Sequence, residues 1–181
     1  MTGAQEFEAF VRRYQDLVFA TAVRLLGNAV DAEDVAQTVF LRAFQRFDEI
    51  GTSPTAAGWL RTVTRNVCLN HLSRYRARLK FFSELARVDT DDAQTDFEAG
   101  LVSTDSPALA IEQADAREQL ERALQRLPDH QRVPLVLFHF EDASYQDIAD
   151  MLGVSLGKVK TDIHRGREAL KKYLSSDDAA D

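Results

Sequence analysis

The residues best suited to chemistry in this chain are cationic and lie in two runs. Lys158 to Lys172 contains six basic and two acidic side chains. Within it, Lys158, Lys160, Thr161, His164 and Arg165 fall at helical spacings that group them together. Lysine and arginine on such a face can neutralise phosphates and read guanine edges, and threonine can contact bases or phosphate. The chemistry on offer is therefore recognition of duplex DNA from the major groove. Arg61 to Lys80 contains six basic side chains and no acidic one. Here Arg61, Arg65, Arg74 and Arg76 are interleaved with Trp59, Asn66, Asn70, His71 and Tyr75. Aromatic rings stack on unpaired bases and asparagine pairs with base edges, a mixture suited to single-stranded or distorted DNA. Either run alone is also what a solvated basic helix face looks like, so its surroundings must decide.

The formal net charge of −7 points superficially away from nucleic acid. Its distribution reverses that impression. Residues 1–80 carry net +3, residues 81–108 net −6, residues 109–174 net −1 and residues 175–181 net −3. The phosphates of a bound duplex respond to the local field rather than the global sum. Catalysis has no comparable support. Asp31, Glu33 and Asp34 could ligate a metal, but carboxylates at a helix start are already explained by the helix dipole. His71, His130, His139 and His164 have no ligand spacing to one another. No glycine-rich phosphate loop or nucleophile elbow is present. The single cysteine, Cys68, permits neither an internal disulfide nor a cysteine-paired zinc site. The expectation is a non-enzyme without metal or cofactor. No run of roughly 18 apolar residues suggests a membrane insertion, and the first ten residues lack a basic leader, so a cytoplasmic location is expected.

The elements that must position these residues are helical. Phe7, Phe10, Val11, Tyr14, Leu17, Val18 and Leu25 recur at three- and four-residue steps, which predicts a helix over 5–26. Gly27-Asn28 stops it. A second helix is expected to begin at Asp31, with Asp34 completing a capping box. Its apolar stripe is Val35, Val39, Phe40, Ala43, Phe44 and Phe47. Residues 48–56 read as a turn-rich loop, and a third helix spans 57–80 with Leu60, Val63 and Val67 on its inner face. Residues 83–107 have no sustained period and read as an acidic flexible linker. Helical periodicity returns from Leu109 to Leu127, and Pro128 opens a further helix near its first position. Glu141-Asp142-Ala143 is a turn. The fold class is all-α: two small helical domains, 1–80 and 109–174, joined by a flexible acidic linker at 81–108 and followed by a disordered tail at 175–181.

The second domain carries the more specific pattern. Ser144 caps a helix with Asp147 three residues on, Gly153 ends it, and Ser155 caps the next. Two helices joined by a short glycine-containing turn form a helix-turn-helix. Ala149 is small where the helices cross, and Val154 and Val159 are apolar where they pack. On the last helix Leu156, Val159, Ile163, Leu170 and Leu174 fall inward, while Thr161, Arg165, Glu168 and Lys172 fall outward.

The motifs together resemble a known family. The stretch Asp31-Ala-Glu-Asp-Val-Ala-Gln-Thr-Val-Phe-Leu-Arg-Ala-Phe is similar to conserved region 2.2 of bacterial sigma factors. Trp59-Leu-Arg-Thr-Val-Thr-Arg-Asn-Val-Cys-Leu-Asn-His-Leu is similar to regions 2.3 and 2.4. Leu127-Pro-Asp-His-Gln-Arg-Val and Ser144-Tyr-Gln-Asp-Ile-Ala to Arg167 resemble region 4. With regions 2 and 4 alone, the chain resembles the extracytoplasmic-function (ECF) group of the sigma-70 family. The resemblance implies a partner, core RNA polymerase, gripped at the β′ clamp helices through Asp34, Gln37 and Leu41. It implies capture of an unstacked −10 base by the 48–56 loop with Arg61, Arg65, Asn66, Asn70 and Arg74. It implies reading of the −35 promoter duplex by Lys158, Lys160, Thr161, His164 and Arg165 on a module that also faces the β flap, and silencing by an anti-sigma factor. The linker would thread toward the active-site channel. Three residues depart from the family pattern. Thr38 replaces a usual glutamate, Pro134 falls inside a helix where a kink or late start is expected, and Asp162 lies in the recognition segment. There its carboxylate would repel phosphate or accept from a cytosine amine. The alternative is a stand-alone DNA-binding regulator, from which the Asp31–Phe44 and Trp59–Asn70 motifs would separate it.

Overall fold

The computed structural model describes residues 3–83 and 107–178, without the side chains of 74–83, 107–112 and 178. The expected acidic linker therefore lies outside the described residues except at its ends, where 81–83 and 107–108 are helical. The side chain of Arg74 lies outside them too. The chain divides into two compact units, Met1–Asp89 and Thr90–Asp181. Both are helical, with no strand among the described residues.

The first unit contains α1 (Gly3–Leu26), α2 (Ala29–Gln45), α3 (Phe47–Ile50) and α4 (Ala56–Ser83). Helices α1, α2 and α4 all pack on one another. Val18, Ala22 and Leu25 of α1 are buried, as is the row Ala32, Val35, Val39 and Ala43 of α2. The buried row of α4 is Ala56, Leu60, Thr64, Cys68 and Leu72. This corrects the inner face read from sequence, since Val63 and Val67 are only half-buried. Thr64 is tolerated there because its hydroxyl donates to the Leu60 carbonyl at 2.7 Å, leaving no polar group unsatisfied. One end of the bundle is closed by aromatic rings, with Phe7 edge-on to Phe44 at 5.0 Å and to Phe47 at 5.2 Å.

Two boundaries differ from expectation. Asn28, read as part of a stop, is the N-cap of α2: its side-chain oxygen accepts from the Asp31 N–H at 2.8 Å and its amide donates to the Asp31 carboxylate. The Asp31–Asp34 capping box does not form at that end. Gly27 supplies the break itself at φ 75°, a left-handed turn that glycine adopts without strain. The loop expected at 48–56 begins with the single turn α3, because Phe47 and Ile50 turn inward.

The second unit contains α5 (Pro107–Arg126), α6 (Asp129–His139), α7 (Tyr145–Leu152) and α8 (Leu156–Asp178). Pro128 stands just before α6 as its N-cap, with ψ 154°, rather than inside its first turn. Arg132, 3% exposed, closes the α5–α6 turn by donating to the Leu127 carbonyl at 2.7 Å and pairing with Asp129. Helix α6 runs unbroken through Pro134, so the late start expected from that residue does not occur. The proline removes one backbone hydrogen bond and crowds the preceding turn, a cost of about 3 kcal/mol. Burial of Val133, Leu135, Val136 and Leu137 beside it contributes roughly 1.5–3 kcal/mol per side chain and outweighs that loss. Helix α8 continues to Asp178, so residues 175–178 of the tail read as disordered are helical. Arg126 of α5 holds that end, with its guanidinium 4.1 Å from the Tyr173 ring centre and 3.7 Å from Asp177.

Candidate nucleic-acid and partner interfaces

The turn between α7 and α8 is built from local hydrogen bonds that the sequence encodes. The Ser144 hydroxyl accepts from the Asp147 N–H at 3.1 Å, and the Asp147 carboxylate accepts from the Ser144 N–H at 3.3 Å. Gly153 ends α7 at φ 64°, where any side chain would be strained. The Ser155 hydroxyl then accepts from the Lys158 N–H at 3.2 Å and starts α8. Ile148, Ala149 and Val159 are buried where the two helices meet. This is the helix-turn-helix expected from the spacing.

Helix α8 turns Lys160 and Arg165 fully outward and leaves Thr161 and His164 half-buried beside them. These four lie side by side along α8 as one stripe. Lys158 differs. Its ammonium lies 2.8 Å from the Asp162 carboxylate one turn later. Asp162 is buried at 6% exposure and belongs to the inward row with Val159, Ile163, Gly166 and Leu170. The expectation that Asp162 confronts DNA is therefore corrected: its side chain faces the protein. Leu156, expected inward, is 38% exposed. Gly166 was missed by sequence reading. A Cβ there would lie 2.9 Å from Leu135 Cδ1 and 3.4 Å from the Gln131 carbonyl, so α6 and α8 approach too closely for a side chain. A glycine inside a strongly helical stretch was the signal.

A second feature missed by sequence reading ties three helices together. Arg167 of α8 donates from Nε and Nη2 to His139 Nε2 of α6, at 3.2 and 3.1 Å. The same guanidinium sits 5.6 Å from the Phe138 ring, which stacks on Tyr145 of α7 at 4.7 Å. Burial, and then the Arg167 charge, hold the His139 pKa below its ordinary 6.5.

In the first unit, α2 has two opposed faces. Opposite its buried row, Val30, Asp34, Gln37, Leu41 and Phe44 recur at steps of four and three, all exposed. Val30 is 71% exposed, Leu41 65% and Phe44 59%. A 4-3-4-3 stripe is what one helix offers a second helix. The structure thus brings Asp34, Gln37 and Leu41 onto one face and adds Val30 and Phe44. Thr38 adjoins that face, its hydroxyl turned back onto the Asp34 carbonyl at 3.1 Å.

On α4, Arg61, Asn66 and Asn70 are exposed and Arg65 and Trp59 half-buried. The Arg65 Nε is buried without a hydrogen-bond partner among the described residues. Loop residues 51–55 precede α4, with the Ser53 and Thr55 hydroxyls 2.8 Å apart. His71 Nε2 lies 3.4 Å from Asp31 and joins α4 to the start of α2. Among the described residues no group of His, Cys, Asp and Glu is placed to hold a metal ion, and no helix is long and apolar enough to cross a membrane.

Comparison with known proteins matches the chain to two family models, Sigma-70 region 2 over residues 10–78 and Sigma-70, region 4 over residues 117–170. The chain is 35% identical to an RNA polymerase sigma-E factor of Streptomyces avermitilis over 96% of this chain and 87% of that one. It is 32% identical to the ECF RNA polymerase sigma factor EcfG of Rhodopseudomonas palustris over 90% and 81% of the two chains. It is 29% identical to the ECF RNA polymerase sigma factor SigW of Bacillus subtilis over 93% and 88%. Among solved structures it is similar to the sigma factor RpoE from Bartonella quintana, determined in complex with the anti-sigma factor NepR. The two share 22% identity and a TM-score of 0.48, covering 94% of this chain and 98% of that one.

Proposed function

The chain belongs to the sigma-70 family, in its extracytoplasmic-function (ECF) group, and from that premise we propose how its two units divide the work. As an ECF RNA polymerase sigma factor, it binds core polymerase and directs promoter-specific transcription initiation. The first unit docks the β′ clamp helices with the α2 face formed by Val30, Asp34, Gln37, Leu41 and Phe44. The observation that carries this assignment is the exposure of Leu41 and Phe44, two large apolar side chains on a polar-flanked face. The α4 face, with Arg61, Arg65, Asn66, Asn70 and Arg74, takes the −10 element. Extruding one base there costs a few kcal/mol, which favours easily unpaired steps. The second unit lays α8 in the −35 major groove with Lys160, Thr161, His164 and Arg165 toward the bases, and faces the β flap. The nucleotidyl transfer is the polymerase's, and this chain supplies no catalytic group. It works in the cytoplasm, and an anti-sigma factor that covers these faces silences it.

A run-off transcription assay tests this reading, with purified chain, bacterial core polymerase and a pool of promoter fragments. Transcripts that require the chain and begin at defined promoters are the expected result. Tight DNA binding by the chain alone, with no association with core polymerase, would replace the proposal with a stand-alone regulator.

A further inference from the structure

We propose that Asp162 is a positioning residue that withholds Lys158 from the phosphate backbone, and so lowers the affinity of α8 for DNA of any sequence. The inference rests on the assignment of the second unit to the −35 duplex. Asp162 lies in the inward row of the recognition helix, its side chain 8% exposed. A carboxylate taken from water needs a compensating charge or hydrogen bonds. Lys158 supplies it at 2.8 Å from the preceding turn of the same helix, while half of the lysine side chain stays in water. An exposed lysine–carboxylate pair on a helix is weak and would yield its lysine to a phosphate. Here one partner is buried, so moving Lys158 to a phosphate strands a negative charge inside the protein. The pair therefore holds. Lys158 sits at the edge of the stripe formed by Lys160, Thr161, His164 and Arg165, in reach of the backbone by position but engaged elsewhere. The result is a helix with one fewer non-specific contact than its sequence suggests. Affinity falls by the same factor on every sequence, since phosphate contacts bind every sequence equally.

The test is the salt dependence of binding by the full chain assembled with core polymerase, on a promoter duplex and on the same duplex with its −35 element scrambled. Each phosphate contact steepens the log–log slope by about 0.9, which adds roughly a 3.5-fold loss of affinity between 50 and 200 mM salt. Asp162→Asn frees Lys158, so the slope steepens by about one contact on both duplexes while the ratio of affinities between them stays the same. Adding Lys158→Ala to that variant returns the slope to that of the natural chain. Lys158→Ala alone strands the carboxylate and lowers the melting temperature without making the slope shallower. A slope shallower by about one contact in Lys158→Ala would mean that the lysine already holds a phosphate, and would overturn the proposal even if Asp162→Asn failed to fold. An unchanged slope in a folded Asp162→Asn chain would overturn it as well. Should the natural chain show no preference for the intact −35 element, the assignment of the second unit itself fails, which is a separate result.

Discussion

Replacing Leu41 by alanine should weaken the complex with core polymerase and leave the chain itself unharmed. Leu41 leaves 65% of its surface in water in the free chain, more than Phe44 at 59%. Full burial of a leucine is worth roughly 1.5–3 kcal/mol. Two-thirds of that remains available to a partner, about 1–2 kcal/mol, which corresponds to roughly a 5- to 30-fold rise in Kd. The fold should not suffer, because alanine is the best helix former and surface changes of this kind stay within about 0.5 kcal/mol. Phe44→Ala is a poorer probe. Its ring also lies edge-on to Phe7 at 5.0 Å, so binding and folding effects would mix. The assay is a titration of fluorescently labelled chain with core polymerase, paired with thermal melts of both chains. A Kd within twofold of the natural chain, with superimposable melts, would show that the face carrying Leu41 does not meet the polymerase and would refute the assignment.

Three further outcomes concern the second unit. Ser144→Ala removes one half of the capping box and should lower stability by about 1 kcal/mol, read in denaturant unfolding. Gly166→Leu should be far more damaging than the helix propensity gain of about 1 kcal/mol can offset. A Cβ alone would already approach Leu135 Cδ1 to 2.9 Å, and Leu135 is buried, so a native-like melt would contradict the close approach of α6 and α8. The third outcome is a pH effect. Because the folded-state pKa of His139 lies below 6.5, the unfolded chain binds more protons as pH falls below that value. Stability is therefore fully present above pH 6.5 and declines on acidification through the lowered pKa, as protonation breaks the acceptor for Arg167. Melts at pH 7.5 and 5.5 should diverge less in His139→Gln than in the natural chain; equal divergence would show that the acid sensitivity lies elsewhere.

The sequence by itself determined whatever depends on neighbours a few residues away. The cap at Ser144, the left-handed Gly153 and the cap at Ser155 are hydrogen bonds and dihedrals spanning one turn, so spacing alone located the helix-turn-helix. The order of the motifs along the chain likewise points to the family. Local reasoning slipped at α2, where Asn28 outcompeted Asp31 for the cap because the chain was already turning at Gly27. At α6 only the late start, one of the two outcomes expected from Pro134, is excluded, since the helix begins at Asp129. The tertiary structure alone decided which side of each helix meets another. Periodicity assigned Val63 and Val67 to the inside of α4, yet the short Thr64 and Cys68 fill the space between α1 and α2. The family pattern put Asp162 in the recognition segment, yet it lies in the inward row of α8 with Gly166, which is seated against Leu135. The Arg167–His139 contact joins residues 28 apart. No helical period encodes such a contact, because it exists only once two helices have packed at a particular angle.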